Sequence, residues 1–255
     1  MKNTGSLAWS RRTGGALSPG DRLHLVVQAL LARLTRLTPH KPRRIGLESD
    51  AWRRFDVDSL RLPDTADARR AVEHSALLTP GWLHQHSLRT YFWAALLGKA
   101  RGVSFDEELL LVASALHDLG LAEKPCGCDF DHACFAVESA TAAGRFVDRL
   151  GWSAERRDRV AEAITLHLNI RVGLSAGPEA HLLHAGAALD CVGSGWHEIP
   201  SPLIAQVLAR HPRQSFKQHM STVMGDQASV RYASRAAFLG SQGFTRLIHA
   251  APFAE

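Results

Sequence analysis

Segments of helix length follow one another along most of the chain, and no pair of strand-like segments competes with them. Apolar residues recur at helical spacing, and Gly, Pro and Ser stand where the spacing breaks. We therefore predict an all-α fold. Ser18 and Ser153 are the expected N-terminal caps of two helices, and Gly120 is the expected C-terminal cap of a third. The predicted helices cover residues 21–37, 64–78, 83–100, 106–119, 133–150, 153–167 and 178–192, with a C-terminal set near 202–210, 214–224 and 227–240.

Three regions are expected along the chain. Residues 1–20 contain no acidic residue and many Gly, Ser and Thr residues, and they are predicted to form a disordered tail. Residues 21–58 are predicted to form an N-terminal helical extension and a linker that is basic over 38–44. Residues 59–255 are predicted to form the main helical domain with its C-terminal helices. The pair Arg11-Arg12 lacks the apolar stretch of an export signal, so a cytoplasmic location is predicted.

Composition excludes several classes of protein. A chain of 255 residues that is 45% hydrophobic and 22% charged is not disordered throughout. Its four cysteines do not make a disulfide framework, and no apolar run approaches the ~20 residues that span a bilayer. The net charge of +5 is mild and does not demand nucleic acid. The expected partner is a small-molecule substrate, with no nucleic acid and no membrane, and a homo-oligomer remains open.

Fourteen histidines make their positions worth examining, because histidine serves metal sites and proton transfer near neutral pH. His86 lies early in one predicted helix, the pair His117-Asp118 ends the next, and His167 ends a third. Asp190 lies inside the apolar helix over 182–192, where an aspartate is costly unless it has a strong partner. Two imidazoles and two carboxylates in this order suit a divalent metal with mixed nitrogen and oxygen ligands.

This order of residues resembles the HD-domain superfamily of metal-dependent hydrolases, helical proteins named for the adjacent His-Asp pair. Five ordered segments further resemble the cyanamide hydratase-like branch, over approximately residues 60–220. They are His86–Tyr91, Ala115–Leu121, Phe135–Ala140, Ala163–His167 and His184–Gly193.

The resemblance implies a ligand set and a reaction. The implied metal ligands are His86, His117, Asp118 and Asp190, holding zinc, or alternatively iron or manganese. The implied catalytic residues are Asp118 and His167, and the implied substrate-binding residues are Gln85, Arg89, Glu138 and His167. The implied reaction is attack by a metal-bound hydroxide on the carbon of a small nitrile-like or cyanamide-like substrate, as in the conversion of cyanamide to urea. Gln85 stands where the family commonly has Asn, which puts cyanamide itself in doubt.

Other functions stay open on the sequence alone. The same ligands would serve an HD phosphohydrolase acting on a nucleotide or another phosphomonoester. The residues that are permissive for a phosphate are Arg89, Lys99, Arg101, Lys124 and Arg171. A dinuclear iron oxygenase would need two more histidines between Asp118 and Asp190, where His132 and His167 lie. A non-catalytic HD module used for binding is a further alternative, which the complete ligand set disfavours.

A cysteine-rich loop follows the His-Asp pair. Cys126, Cys128 and Cys134 with His132 are candidate ligands for a structural zinc, but their spacing matches no strong zinc template. Plain thiols near an active-site loop are the favoured interpretation.

Overall fold

A computed structural model describes residues 4–37, 52, 61–122 and 133–255 of the chain. These residues form helices and no strand, which confirms the predicted all-α class. None of their helices is both long and apolar enough to cross a membrane. The helices are α1 (Leu7–Thr13), α2 (Pro19–Leu37), α3 (Ala66–Leu78), α4 (Gly81–Arg101), α5 (Glu107–Leu116), α6 (Phe135–Arg149), α7 (Ala154–Leu166), α8 (Pro178–Val192), α9 (Ser201–Arg210), α10 (Phe216–Val230), α11 (Arg235–Ser241) and α12 (Phe244–His249).

Helix α5 forms the centre of the main core. Every residue from Leu109 to Leu116 is at most 1% exposed, so this helix is apolar on all sides. It packs against α3, α4, α6, α7 and α8. Because α5 is surrounded, the two residues that follow it, His117 and Asp118, also begin deep inside the protein.

Helices α4 and α8 approach each other closely. A side chain at Gly186 of α8 would collide with the backbone of α4, at the carbonyl oxygen of Thr90 and, at 2.9 Å, the amide nitrogen of Ala94. Glycine therefore lets the two helix backbones come into contact at this point. The close approach brings His86 of α4 next to Asp190 of α8.

Two predicted helix caps are confirmed and one is wrong. The side chains of Ser18 and Ser153 accept hydrogen bonds from the first turns of α2 and α7. Helix α5 ends at Leu116, three residues before the predicted end, because the backbone of Asp118 leaves the helical conformation and a 3-10 turn follows over Leu119–Leu121. Gly120 lies in that turn, where a side chain would collide with the carbonyl oxygen of Phe135.

The prediction of a disordered tail is wrong for residues 4–20. Helix α1 is capped by Ser6 and packs on α7, and Trp9 is 2% exposed in a cluster with Leu17, Leu25 and Phe238. A helix of seven residues is too short to show a periodic pattern, so the single buried tryptophan was its main signal. Helix α2 begins at Pro19, close to the predicted start of the extension.

The C-terminal helices form a second cluster of buried residues beside α4 and α6. It includes Leu83 of α4, Phe135 of α6, Phe216 and Met220 of α10, and Ile248 of α12. The predicted helix over 227–240 is two helices in the structure, since α10 continues to Val230 and α11 starts at Arg235. The predicted linker residues 38–51 and 53–58 lie outside the described residues, whereas Trp52 is buried in the main core.

Candidate metal centre

Two helix ends and one helix interior converge at the predicted site. His86 lies on α4, His117 and Asp118 follow α5, and His167 follows α7. All four side chains are buried, with exposed fractions between 0% and 8%. Ligand atoms of His86, His117 and Asp118 lie within 4.8 Å of one another, which is close enough for one metal ion to contact all three.

The outer nitrogen of each imidazole ring is held by a hydrogen bond. Nδ1 of His117 donates to the carbonyl oxygen of Ser114 at 2.7 Å, and Nδ1 of His167 donates to that of Ile164 at 2.6 Å. Nδ1 of His86 donates to Oδ2 of Asp190 at 2.7 Å. Because a carbonyl or an ionised carboxylate only accepts, each neutral ring carries its proton on Nδ1 and its lone pair on Nε2.

The three Nε2 atoms face the carboxylate of Asp118. Oδ2 of Asp118 lies 3.4 Å from Nε2 of His86 and 3.2 Å from Nε2 of His117, and Oδ1 lies 3.5 Å from Nε2 of His167. Burial works to raise the pKa of Asp118, but the positive charge of His117 when that ring is protonated, together with hydrogen bonds from the protonated rings, holds the pKa well below its ordinary value. The carboxylate is therefore ionised at neutral pH.

Two polar atoms of this cluster have no hydrogen-bond partner among the described residues. They are Nε2 of His117 and Oδ1 of Asp118, and both are fully buried. Buried polar atoms are normally satisfied, because an unsatisfied one costs about 1–3 kcal/mol. Both atoms are acceptors when His117 is neutral, so a cation is the partner that fits them.

Asp190 lies behind His86 and not in the cluster. Its Oδ1 accepts from Nε of Arg89 at 2.8 Å and from Nε1 of Trp93 at 2.7 Å. Its Oδ2 accepts from Nδ1 of His86 and from Nη2 of Arg89 at 2.9 Å. Both oxygens thus carry two hydrogen bonds already, and the geometry does not support the ligand role predicted for Asp190. The acidic pKa of this buried carboxyl is held low chiefly by Arg89, against the effect of burial.

Three residues predicted to contact substrate have other partners. Oε1 of Gln85 lies 3.0 Å from Nδ1 of His211, and Arg89 binds Asp190, not Asp118. Glu138 is buried against Arg231, with Oε2 accepting from Nη2 at 2.8 Å. None of the three lines the cavity described below. These three side chains contact protein groups in the structure, and their role in substrate binding stays a prediction.

A cavity of about 210 Å³ opens onto the cluster. His86, His117, Asp118 and His167 line it at one end, so His167 does face the space where a substrate would lie. Helix α2, from the predicted extension, contributes Ala29, Ala32 and Arg33 to the wall. Sequence reasoning missed this contribution, because the periodicity of α2 shows an apolar face but not what that face covers.

Two more residues that support the site were missed. Trp93 donates to Asp190 as described, and Nη1 of Arg213 donates to the backbone oxygen of Asp190 at 3.2 Å. An aspartate inside an apolar helix costs free energy unless hydrogen-bond donors reach it, so Asp190 indicated that donors exist. The sequence does not identify which donors they are. The zinc alternative at Cys126, Cys128 and His132 lies outside the described residues, while Cys134 is a buried thiol beside Arg235.

The fold and the site define a helical protein with a buried His/Asp centre that follows a fully buried helix. A family model for the HD domain matches residues 83–210, half of the chain. The chain therefore belongs to the HD domain family, whose superfamily consists of metal-dependent hydrolases. No curated protein matches the sequence.

Proposed function

We propose that the protein is a metal-dependent hydratase that adds water to the carbon of a nitrile-like or cyanamide-like substrate. The observation that carries the proposal is the convergence of three imidazole Nε2 atoms on one buried carboxylate at the end of a largely apolar cavity. His86, His117 and Asp118 would hold the metal, for which zinc, iron or manganese are the candidates. When bound there, a divalent cation makes a water molecule nucleophilic near neutral pH.

His167 is the proposed proton acceptor of the reaction. Its Nδ1 is committed to the carbonyl of Ile164, so its Nε2 is free to accept a proton from the attacking water. The water oxygen forms a bond to the cyano carbon, the carbon–nitrogen triple bond becomes a double bond, and the nitrogen takes up a proton. His167 returns its proton to that nitrogen, which gives an imidic acid or isourea. The remaining hydroxyl proton then moves from oxygen to nitrogen, so the reaction consumes one water, releases no leaving group and yields an amide or urea.

Charge in the cavity favours a cyano compound over a phosphomonoester. A phosphate needs several converging cationic or amide donors. Among the described residues that line the cavity, Arg33 is the one Lys or Arg, and it is an exposed residue of α2 that donates to Gln242. Arg89, which the sequence offered for phosphate, is fully buried and engaged with Asp190.

The position of His167 disfavours the dinuclear oxygenase. That alternative needs His167 and His132 to hold a second metal apart from the first. His167 faces the same carboxylate as His86 and His117, and His132 lies outside the described residues.

Turnover by the metal-loaded protein tests the proposal. We expect urea from cyanamide or amides from nitriles, detected by mass spectrometry, and no phosphate from p-nitrophenyl phosphate. His167→Gln should lower kcat by about 10²–10⁴-fold while the protein keeps its metal. His84→Gln is the matched control, because His84 lies on α4, contacts Ser75 and does not line the cavity. Phosphate release without any hydration product would overturn the proposal, and loss of metal from His167→Gln would make His167 a ligand.

A further inference from the structure

The walls of the cavity beyond the metal centre are mostly apolar. They come both from the HD-matched residues 83–210 and from parts of the chain that lie outside them. Helix α2 contributes one side, and α10, α11 and α12 contribute another. The apolar wall residues from these helices are Ala29, Ala32, Met220, Met224, Leu239, Phe244 and Leu247. The HD-matched residues thus supply the metal centre and part of the apolar wall, and the additional helices supply the rest of that wall.

The cavity runs from the metal centre to the protein surface. At the inner end His86, His117 and Asp118 are at most 4% exposed. At the other end Arg33 is exposed and Leu247 is 39% exposed. The other polar residues that line the cavity are Asn169, His184, Ser194 and Gln242. None of these four is an Asp, Glu, Lys or Arg, so the described wall between the metal centre and Arg33 carries no carboxylate, ammonium or guanidinium group.

The cavity is larger than cyanamide requires. Cyanamide has three non-hydrogen atoms, whose volume is on the order of 90 Å³ if each is given the roughly 30 Å³ of one water molecule. The cavity measures about 210 Å³. A substrate that filled it would therefore carry a substituent of several carbon atoms beside the reactive group.

Two methionines give this wall an adaptable surface. The chain has three methionines, and apart from Met1 both of them, Met220 and Met224, line the cavity. They are 2% and 5% exposed and lie one turn apart on α10. The flexible thioether side chain fits ligands of different shape, so this wall suits apolar groups without selecting one rigid outline.

We infer that the substrate is an uncharged cyano compound that carries an apolar substituent, which lies between α2 and α10–α12. The inference rests on the proposed function for the reactive cyano group, and on the wall of the cavity for the substituent. A charged substituent would lose its hydration between Met224 and Phe244 without an opposite charge to replace it there. Cyanamide itself would react poorly, since it leaves most of the wall uncovered.

Kinetics with a homologous series test the inference. The metal-loaded protein is given cyanamide and its N-ethyl, N-butyl and N-hexyl derivatives, and kcat/KM is measured for each. Burial of one methylene corresponds to a three- to fourfold gain, so we expect kcat/KM to rise by about that factor per carbon until the cavity is full. Met224→Gln should flatten this dependence. Val230→Gln is the matched control, because Val230 lies on the same helix but is 72% exposed.

A second readout does not depend on turnover. Protein labelled with ¹³C at the methionine methyl groups gives signals from Met1, Met220 and Met224 alone. Titration of the metal-free protein with N-hexylcyanamide should shift the signals of Met220 and Met224, which Met224→Leu assigns, and leave that of Met1 in place. Hexyl phosphate is the charged comparison and should produce no shift of these two signals.

The outcomes separate the two proposals. A flat or falling dependence of kcat/KM on chain length, with no shift at Met220 and Met224, overturns the inference even if cyanamide is hydrated. A response of both methionines to hexyl phosphate but not to N-hexylcyanamide also overturns it. If no cyano compound reacts while the methionine signals respond to N-hexylcyanamide, the proposed reaction is wrong and the apolar class of ligand is supported.

Discussion

Oδ2 of Asp190 lies 2.7 Å from Nδ1 of His86, on the side of the imidazole ring that faces away from Asp118. The carboxylate thus fixes the tautomer and the orientation of His86 without joining the cluster. Arg89, fully buried, holds Asp190 in turn through two hydrogen bonds. Such supporting carboxylates commonly raise the metal affinity of the histidine that they hold.

Substitution of Asp190 should therefore weaken metal binding without removing every ligand. We expect Asp190→Asn to lower zinc affinity by about 10–100-fold, measured by competition with a chromophoric chelator. The same substitution should lower the free energy of unfolding by about 3–5 kcal/mol, because the Arg89 guanidinium is left buried without its counter-charge.

Glu179→Gln is the matched control for this substitution. Glu179 lies on the same helix, is 3% exposed and pairs with Arg159 at 3.0 Å, but it contacts none of the cluster residues. It should lose stability with zinc affinity unchanged. Equal loss of zinc affinity in both variants would show that general destabilisation, and not the orientation of His86, is responsible.

Because α4 and α8 are in close contact, we expect a single added methyl group at residue 186 to lower the free energy of unfolding. Gly186→Ala would push α8 away from Thr90 and Ala94, and we expect a loss of about 1–3 kcal/mol in the free energy of unfolding together with weaker zinc binding. Gly225→Ala on α10 meets open space and should be neutral or stabilise by up to about 1 kcal/mol. Urea unfolding of both variants measures the difference, and similar values would contradict the helix contact.

His211 predicts a pH dependence of stability. Burial, aided by the nearby Arg89, lowers the pKa of His211 from the ordinary 6.5 to about 4. As the pH falls, the unfolded chain therefore binds a proton at this position before the folded chain does. The contribution of neutral His211 to the free energy of unfolding is fully present above pH 6.5 and is lost as the pH falls to about 4.

His211→Asn should remove this contribution while keeping a donor to Gln85. We expect its free energy of unfolding to fall less than that of the wild type between pH 6.5 and pH 4, by about 1–2 kcal/mol after allowance for the partial exposure of the ring. Parallel pH profiles for the two proteins would show that His211 is not protonated on unfolding in this range.

Much of the site could be predicted because its residues have strong local signals. His117 and Asp118 are adjacent at the end of an apolar helix, and the position of Asp190 required a partner. The ligand role of Asp190 stays a prediction that the geometry does not favour, and spacing cannot show that Arg89 would bind both of its oxygens. The partners of Gln85 and Glu138 could not be predicted, because His211 and Arg231 are more than 90 residues away from them in sequence.

The fold was predictable where periodicity and caps agreed. Ser153 caps the start of α7 as predicted, and α8 ends at Val192, its predicted last residue. Helix α1 was missed because one buried tryptophan in seven residues makes no pattern. The position of α2 over the cavity depends on tertiary contacts such as Arg33 with Gln242, which leave no trace in local sequence.

Asp118 provides the most direct test of the account, because its carboxylate faces all three imidazoles. Metal content is measured by mass spectrometry of the elements in wild-type protein and in Asp118→Asn, each loaded with zinc and then separated from free metal. We expect one ion per wild-type chain, bound with a rise in thermal stability that a chelator reverses, and none in the variant. Full retention of zinc by Asp118→Asn, or two ions per wild-type chain, would contradict it.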